Sequence, residues 1–218
     1  MENQGMKDLA EQLRNPSGEK GLEVAEMMNE TNIGMTLQSI QNLNLKKGEL
    51  VMEIGHGNAK HLNNIFEKAD SLRYTGYDIS ELMHKEAISH NQDFIENNLA
   101  EFRLYDGQNF PEKNHSFDKI FTVNTIYFWE NPTEMLNEVY WILKPGGIFC
   151  ITFVEKDFMK LLPFSAFGFT MYNPQDIEKL VDDSEFQLNE IIRDTEFVQN
   201  KLGEKMNREF ATAVLSKT

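Results

Sequence analysis

The segment Val51-Met52-Glu53-Ile54-Gly55-His56-Gly57-Asn58-Ala59 combines a carboxylate inside an apolar run with two closely spaced glycines. Glycines at Gly55 and Gly57 let a backbone turn tightly and come close to a ligand. A helix predicted to start near Asn58 would offer free N–H groups to a negative group. The dinucleotide pattern G-x-G-x-x-G needs a third glycine at position 60, where Lys60 stands. The pattern E/D-x-G-x-G-x-G fits better: Glu53 is its acid, and only the last position departs, as Ala59. His56 sits inside the turn and is the best-placed candidate base, with a spacer role as the plainer reading. His61, His84 and His90 fall on predicted helices without a partner pattern, and His115 falls in a polar loop. No H-x-x-x-H pair or cysteine cluster is present, so no metal site is expected.

The surrounding pattern supplies the elements that would hold this turn. The first 47 residues read as helix and turn, over Met6–Arg14, Leu22–Asn29 and Asn32–Leu43. Strands then alternate with helices. The predicted strands are Leu50–Ile54, Ser71–Tyr77, Ala100–Tyr105, Phe117–Val123 and Ile148–Val154. The predicted helices are Asn58–Ala69, Ser80–Asn97 and one opened by Asn131-Pro132-Thr133-Glu134. Such alternation predicts a parallel sheet with helices on both faces. After Val154 come an aromatic stretch, a helix capped by Asn173, and two closing strands, Phe186–Val198 and Glu209–Ser216, joined by a short link and expected to be antiparallel. In sheets of this kind, ligands bind beyond the carboxyl ends of the strands, where the Gly55–Gly57 turn falls.

Further landmarks follow in order: Tyr74-Thr75-Gly76-Tyr77-Asp78, Tyr105-Asp106-Gly107, Ser116-Phe117-Asp118 running to Asn124, and Leu143-Lys144-Pro145-Gly146-Gly147. With the glycine turn they resemble the class I S-adenosylmethionine-dependent methyltransferases, most clearly over residues 48–154. The resemblance implies a Rossmann-like α/β three-layer sandwich, with a seven-stranded, mostly parallel sheet whose last strand is antiparallel, plus N-terminal helices. It implies one domain over 1–218: a helical lid at 1–47, a cofactor core at 48–154, and an acceptor-site insertion with terminal strands at 155–218. It places S-adenosylmethionine against Glu53, Gly55, His56, Gly57, Asn58, Asp78, Ile79, Asp106, Gly107 and Asn124. Asp78 would hold the ribose hydroxyls, since a carboxylate can accept two hydrogen bonds at once. No obligatory catalytic side chain is implied. Asn131-Pro132 lacks the rest of the N-P-P-Y signature of nucleic-acid amino methylation and reads as a helix cap.

Aromatic residues cluster after the fourth and fifth strands, and Tyr127, Trp129, Phe164 and Phe167 are the candidate acceptor-binding residues. They suit an apolar or aromatic small molecule or an amine held by cation–π contact, or else they are ordinary core. Composition narrows the partners. The chain has 218 residues, 40% hydrophobic and 26% charged, with 21 Lys+Arg against 35 Asp+Glu and a net charge of −14. That balance argues against a phosphate-backbone partner and against a polybasic membrane surface. The lone Cys150 lies in an apolar run, which predicts a buried thiol and a reducing, cytoplasmic setting. The first fifteen residues hold no apolar stretch, so no signal peptide is expected. The expected activity is methyl transfer to a small molecule. Methylation of a protein or RNA, and a non-catalytic S-adenosylmethionine-binding role, are the alternatives.

Overall fold

The computed structural model describes residues 2–199 and 205–218. Two helices lead: α1 (Glu2–Arg14) and α2 (Gly18–Asn42). The alternating region follows, with β1 (Leu50–Ile54), α3 (Leu62–Phe66), β2 (Arg73–Asp78), α4 (Glu81–His90), α5 (Gln92–Glu96), β3 (Ala100–Leu104), β4 (Phe117–Val123), α6 (Pro132–Ile142) and β5 (Leu143–Val154). Then come α7 (Lys156–Met159), α8 (Pro174–Asp182), β6 (Gln187–Gln199) and β7 (Lys205–Ser216). The seven strands form one sheet in the order β3-β2-β1-β4-β5-β7-β6. β1 to β5 run parallel, and β7 is antiparallel to both β5 and β6. The link between β6 and β7 lies outside the described residues.

The side-chain alternation of the strands makes two apolar layers. Met52, Ile54, Ile120, Phe149, Ile151 and Leu215 join Leu136 and Val139 of α6 and Ile177 and Val181 of α8 on one face. Val51, Tyr74, Phe121 and Cys150 join Ile40, Leu62, Ile65 and Ala87 on the other. Cys150 is fully buried, and burial pushes its thiol up to about 12, so it is an inert core residue.

Three helices depart from the sequence expectation. The helix expected over Asn58–Ala69 is confined to Leu62–Phe66. Gly57 and Ala59 hold φ of +56° and +50°, and a right-handed helix cannot begin until such residues are past. The helix expected over Ser80–Asn97 is broken at Asn91, whose φ of −125° is not helical. The Asn91 side chain instead donates to Ala87 O and to Ala59 O, tying α4 to the glycine turn. Conversely, the helices expected over Leu22–Asn29 and Asn32–Leu43 are one continuous α2. Thr31 lies within it, its hydroxyl donating to Met27 O four residues back. Asn131 and Asn173 cap α6 and α8 as expected, the latter in a capping box with Asp176.

Candidate active site

The chain leaves β1 in one direction across the sheet, to β2 and β3, and returns to the other side for β4 and β5. The loops after β1 and β4 therefore diverge, and a crevice opens between them. A cavity of about 430 Å³ lies there, walled by these loops, by those after β2 and β3, and by α2 and the α1–α2 turn. All ten residues expected to meet the cofactor line it: Glu53, Gly55, His56, Gly57, Asn58, Asp78, Ile79, Asp106, Gly107 and Asn124.

The glycine turn is held from beneath. Gly55 N–H donates to Tyr77 O at 2.7 Å, at a φ of +76°. A Cβ at Gly55 would run into the Thr125 methyl group, so position 55 requires glycine on two grounds. Gly57 N–H donates to Asp78 Oδ2 at 2.9 Å, and Ser80 N–H donates to Asp78 Oδ1 at 2.9 Å. Asp78 keeps further lone pairs for a ligand. Burial lifts its carboxyl to about 6, outweighing the Ser80 and Gly57 donors, and the nearby Glu53 charge adds to the rise.

Glu53 lies under the turn, with 2% of its surface exposed. Its Oε2 accepts from Tyr74 OH at 2.5 Å and pairs with His61 Nε2 at 2.8 Å. His61 thus has a partner that its sequence position did not reveal. His56 is also buried, its Nδ1 2.7 Å from Gly57 O and its ring edge-on to Phe102. Burial lowers it to about 4, so the ring is neutral at pH 7 with the proton on Nδ1, where Gly57 O accepts it. A Cβ at Gly76 would lie 2.8 Å from His56 Cδ2, so the glycine of β2 makes room for this ring. The packing fits the spacer role better than that of a base.

Asp106 is exposed, and its Oδ1 accepts from Gln108 N–H and Asn109 N–H, which hold its carboxyl below the usual carboxylate range. Asn124, at the end of β4 with φ +59°, accepts from Tyr127 OH at 2.8 Å.

The expected acceptor residues divide. Trp129 lines the cavity, whereas Tyr127, Phe164 and Phe167 do not. Tyr127 OH accepts from Val154 N–H at 2.5 Å as well as donating to Asn124, so it latches the end of β4 to the end of β5. Phe164 packs on Phe169, which packs on Phe128 and Tyr127. Within that aromatic group Phe128 lines the cavity, while Phe164 and Phe169 are half-buried and do not reach it.

The wall opposite the glycine turn was only partly foreseen. Ala25, Met28, Asn29, Asn32, Ile33 and Thr36 of α2 line the cavity at intervals of three and four residues, one face of a helix. The signal lay in the sequence as polar residues on a helical stripe. The α1–α2 turn is anchored by Ser80 Oγ, which donates to Pro16 O at 2.6 Å. Two ion pairs flank the opening: Lys60–Glu26 at 2.5 Å and Arg14–Glu130 at 3.9 Å. Among the described residues no group of side chains is arranged to hold a metal ion, and no helix is long and apolar enough to cross a membrane.

A methyltransferase-domain family model matches residues 52–151, the stretch that holds the glycine turn and the four landmarks after it. Over that stretch the chain is similar to methyltransferase domains, and the sheet order is that of a Rossmann-like methyltransferase fold. The chain is 26% identical over 121 residues to the uncharacterised methyltransferase YdaC of Bacillus subtilis. That match covers 55% of this chain and 64% of YdaC, less than two thirds of the relative's length. Among solved structures, the fold matches a methyltransferase in complex with the Haloferax volcanii Trm112 methyltransferase activator. The TM-score is 0.73 at 16% identity, over 88% of this chain and 92% of that one. It also matches phosphoethanolamine N-methyltransferase 2 of Haemonchus contortus, solved with phosphomonomethylethanolamine and S-adenosylhomocysteine. Here the TM-score is 0.65 at 16% identity, over 84% of this chain and 52% of that one.

Proposed function

We propose that the protein transfers a methyl group from S-adenosylmethionine to a small-molecule acceptor. The observation that carries this reading is the Gly55 cradle beside the buried Asp78 carboxylate, both opening on one cavity at the switch point of the sheet. The residues present fit the cofactor. A Cβ at Gly57 would meet nothing within 4 Å, so the turn leaves room there for a close approach to its backbone, and Asp78 has acceptor capacity left for a diol. Asp78 would take the ribose hydroxyls, Gly55 and Gly57 the chain beside them, and Ile79, Asp106 and Gly107 the base. Bound there, the cofactor would supply a methyl carbon activated by its sulfonium, open to in-line attack by a nucleophilic atom of the acceptor with the neutral thioether as leaving group. The chain's own part is positioning and exclusion of water: the four strand-end loops fix one side of the cavity, and α2 covers the other. His56, neutral and turned into the sheet face, is not assigned a proton-transfer role.

A cavity of this size suits a small ligand. The net charge of −14 gives little attraction for a nucleic-acid backbone. The test is calorimetry with S-adenosylhomocysteine, followed by transfer of labelled methyl to small aromatic and amine acceptors, and in parallel to RNA and protein. Saturable binding with label on a small molecule supports the reading. Label on RNA or protein alone overturns the acceptor class, and failure to bind S-adenosylhomocysteine overturns the cofactor.

A further inference from the structure

Of the α2 residues that wall the cavity, Asn32 is the one held by an ion. Arg208 of β7, 7% exposed, donates from Nη1 to Asn32 Oδ1 at 3.2 Å and from Nη2 to Thr31 O. Its Nε and Nη2 also donate to Glu196 Oε1 of β6, at 3.2 and 2.7 Å. A guanidinium has donors only, so the Asn32 atom facing it must be the amide oxygen. The amide NH2 is left over, and no described residue accepts from it. The arrangement fixes a side chain on the cavity wall with its acceptor used and its donor available.

The strand order shows which end of the cavity this is. Asp78 and Asp106 follow β2 and β3, on one side of the switch point; β4, β5 and β7 lie on the other. Asn32 is held from β7. Three residues on, Met35 Sδ lies 3.5 Å from Asn124 Nδ2, at the end of β4. Asn32 therefore sits away from the proposed ribose end, where a transferred group would meet its acceptor. The α2 wall there brings Met28, Asn29, Ile33 and Thr36, none of them a carboxylate, and the one carboxylate after β4 that lines the cavity, Glu130, is paired with Arg14.

Resting on the methyltransferase reading above, we infer that Asn32, oriented by Arg208, is a specificity-determining donor that favours an acceptor presenting a carboxylate or carbonyl oxygen over one presenting an ammonium. Arg208 acts through Asn32 and is a positioning residue.

Asn32→Asp tests this, because aspartate keeps a partner for Arg208 while removing the NH2 donor. Calorimetry on the full chain would measure S-adenosylhomocysteine and 5′-methylthioadenosine. Benzoate and benzylammonium would then be titrated into the S-adenosylhomocysteine complex. Expected in the unmodified protein is tighter binding of benzoate than of benzylammonium. Asn32→Asp should weaken benzoate by about 10- to 100-fold, the size of a lost hydrogen bond to a charged group, and leave S-adenosylhomocysteine unchanged. Arg208→Lys should lower the benzoate preference alone; equal weakening of every ligand would make Arg208 merely structural and remove its positioning role. Absent benzoate binding, unchanged benzoate binding in Asn32→Asp, or a preference for benzylammonium would overturn the inference. So would weaker S-adenosylhomocysteine with unchanged 5′-methylthioadenosine, which would give the donor to the cofactor's own carboxylate. If neither adenosyl ligand binds the unmodified protein, the cofactor reading fails, and benzoate titrated into the free protein still decides the role of Asn32.

Discussion

The two walls of the cavity are fixed by different physics. On the strand-end side, backbone donors at Gly55, Gly57 and Ser80 end on Tyr77 O and on the two oxygens of a buried carboxylate. Beneath them, Glu53, Tyr74 and His61 form a second buried network. On the α2 side, the flanking ion pairs Lys60–Glu26 and Arg14–Glu130 are solvent-exposed and contribute little each. One wall is preorganised, because its polar groups would be left unsatisfied by any movement. The other is held mainly by packing, since Met35, Ser39 and Ile40 of α2 are buried and Arg208 bonds Asn32 and Thr31. The difference teaches that one wall is set by buried polar networks and the facing helix by apolar packing, with only weak ion pairs at the rim.

The sharpest way to break that contrast is Gly55→Val, which forces a side chain into Thr125 and into a left-handed backbone. S-adenosylhomocysteine binding should be lost while circular dichroism keeps the native pattern; a variant that binds normally would show that this wall is not the cofactor wall. Asp78→Ala should cost about 1.5–3 kcal/mol of S-adenosylhomocysteine affinity by calorimetry, as a charged acceptor is lost.

The same carboxylate gives a pH signature. Ligand hydroxyls donate to its ionised form, so affinity should rise as pH increases through about 6. In the free protein, the folded state holds the Asp78 proton between about 3.8 and 6 while the unfolded chain has lost it, so this group's contribution to stability falls as pH rises through that window. His56 does the reverse between about 4 and 6.5: the unfolded chain is protonated and the folded one is not, so stability rises with pH. The two oppose each other. In thermal melts, Asp78→Asn should expose the His56 slope, with stability increasing from pH 4 to 6.5 more steeply than in the unmodified protein.

Smaller effects sharpen the contrast. Ala59 holds φ +50°, where an L-residue costs about 1–2 kcal/mol, so Ala59→Gly should stabilise the protein by about 1 kcal/mol in urea titration after the entropy of glycine is set against it. Glu26→Gln removes the Lys60 pair and should change stability by less than about 0.5 kcal/mol. Its larger effect should be faster S-adenosylhomocysteine release in stopped flow; an unchanged release rate would mean that this ion pair does not hold the cover.

The sequence by itself determined the strands, the parallel run of the first five and the turn chemistry. Apolar runs of strand length punctuated by Gly, Asp and Asn leave few alternatives, and Gly55, Gly57 and Asp78 are spaced by the chain's own geometry. It did not reveal that Ala59 delays α3, that Gly76 makes room for His56, or that His61 pairs with Glu53, since each depends on an atom from another element. It also placed Tyr127, Phe164 and Phe167 at the acceptor site, because an aromatic residue has the same letter whether it faces a ligand or another ring. Only the tertiary structure decided between these, by bringing Phe169 against Phe128, Tyr127 against Val154, and Arg208 across from β7 to Asn32, 176 residues earlier in the chain. Local pattern fixes what a backbone can do next to itself; partners distant in sequence are chosen by packing.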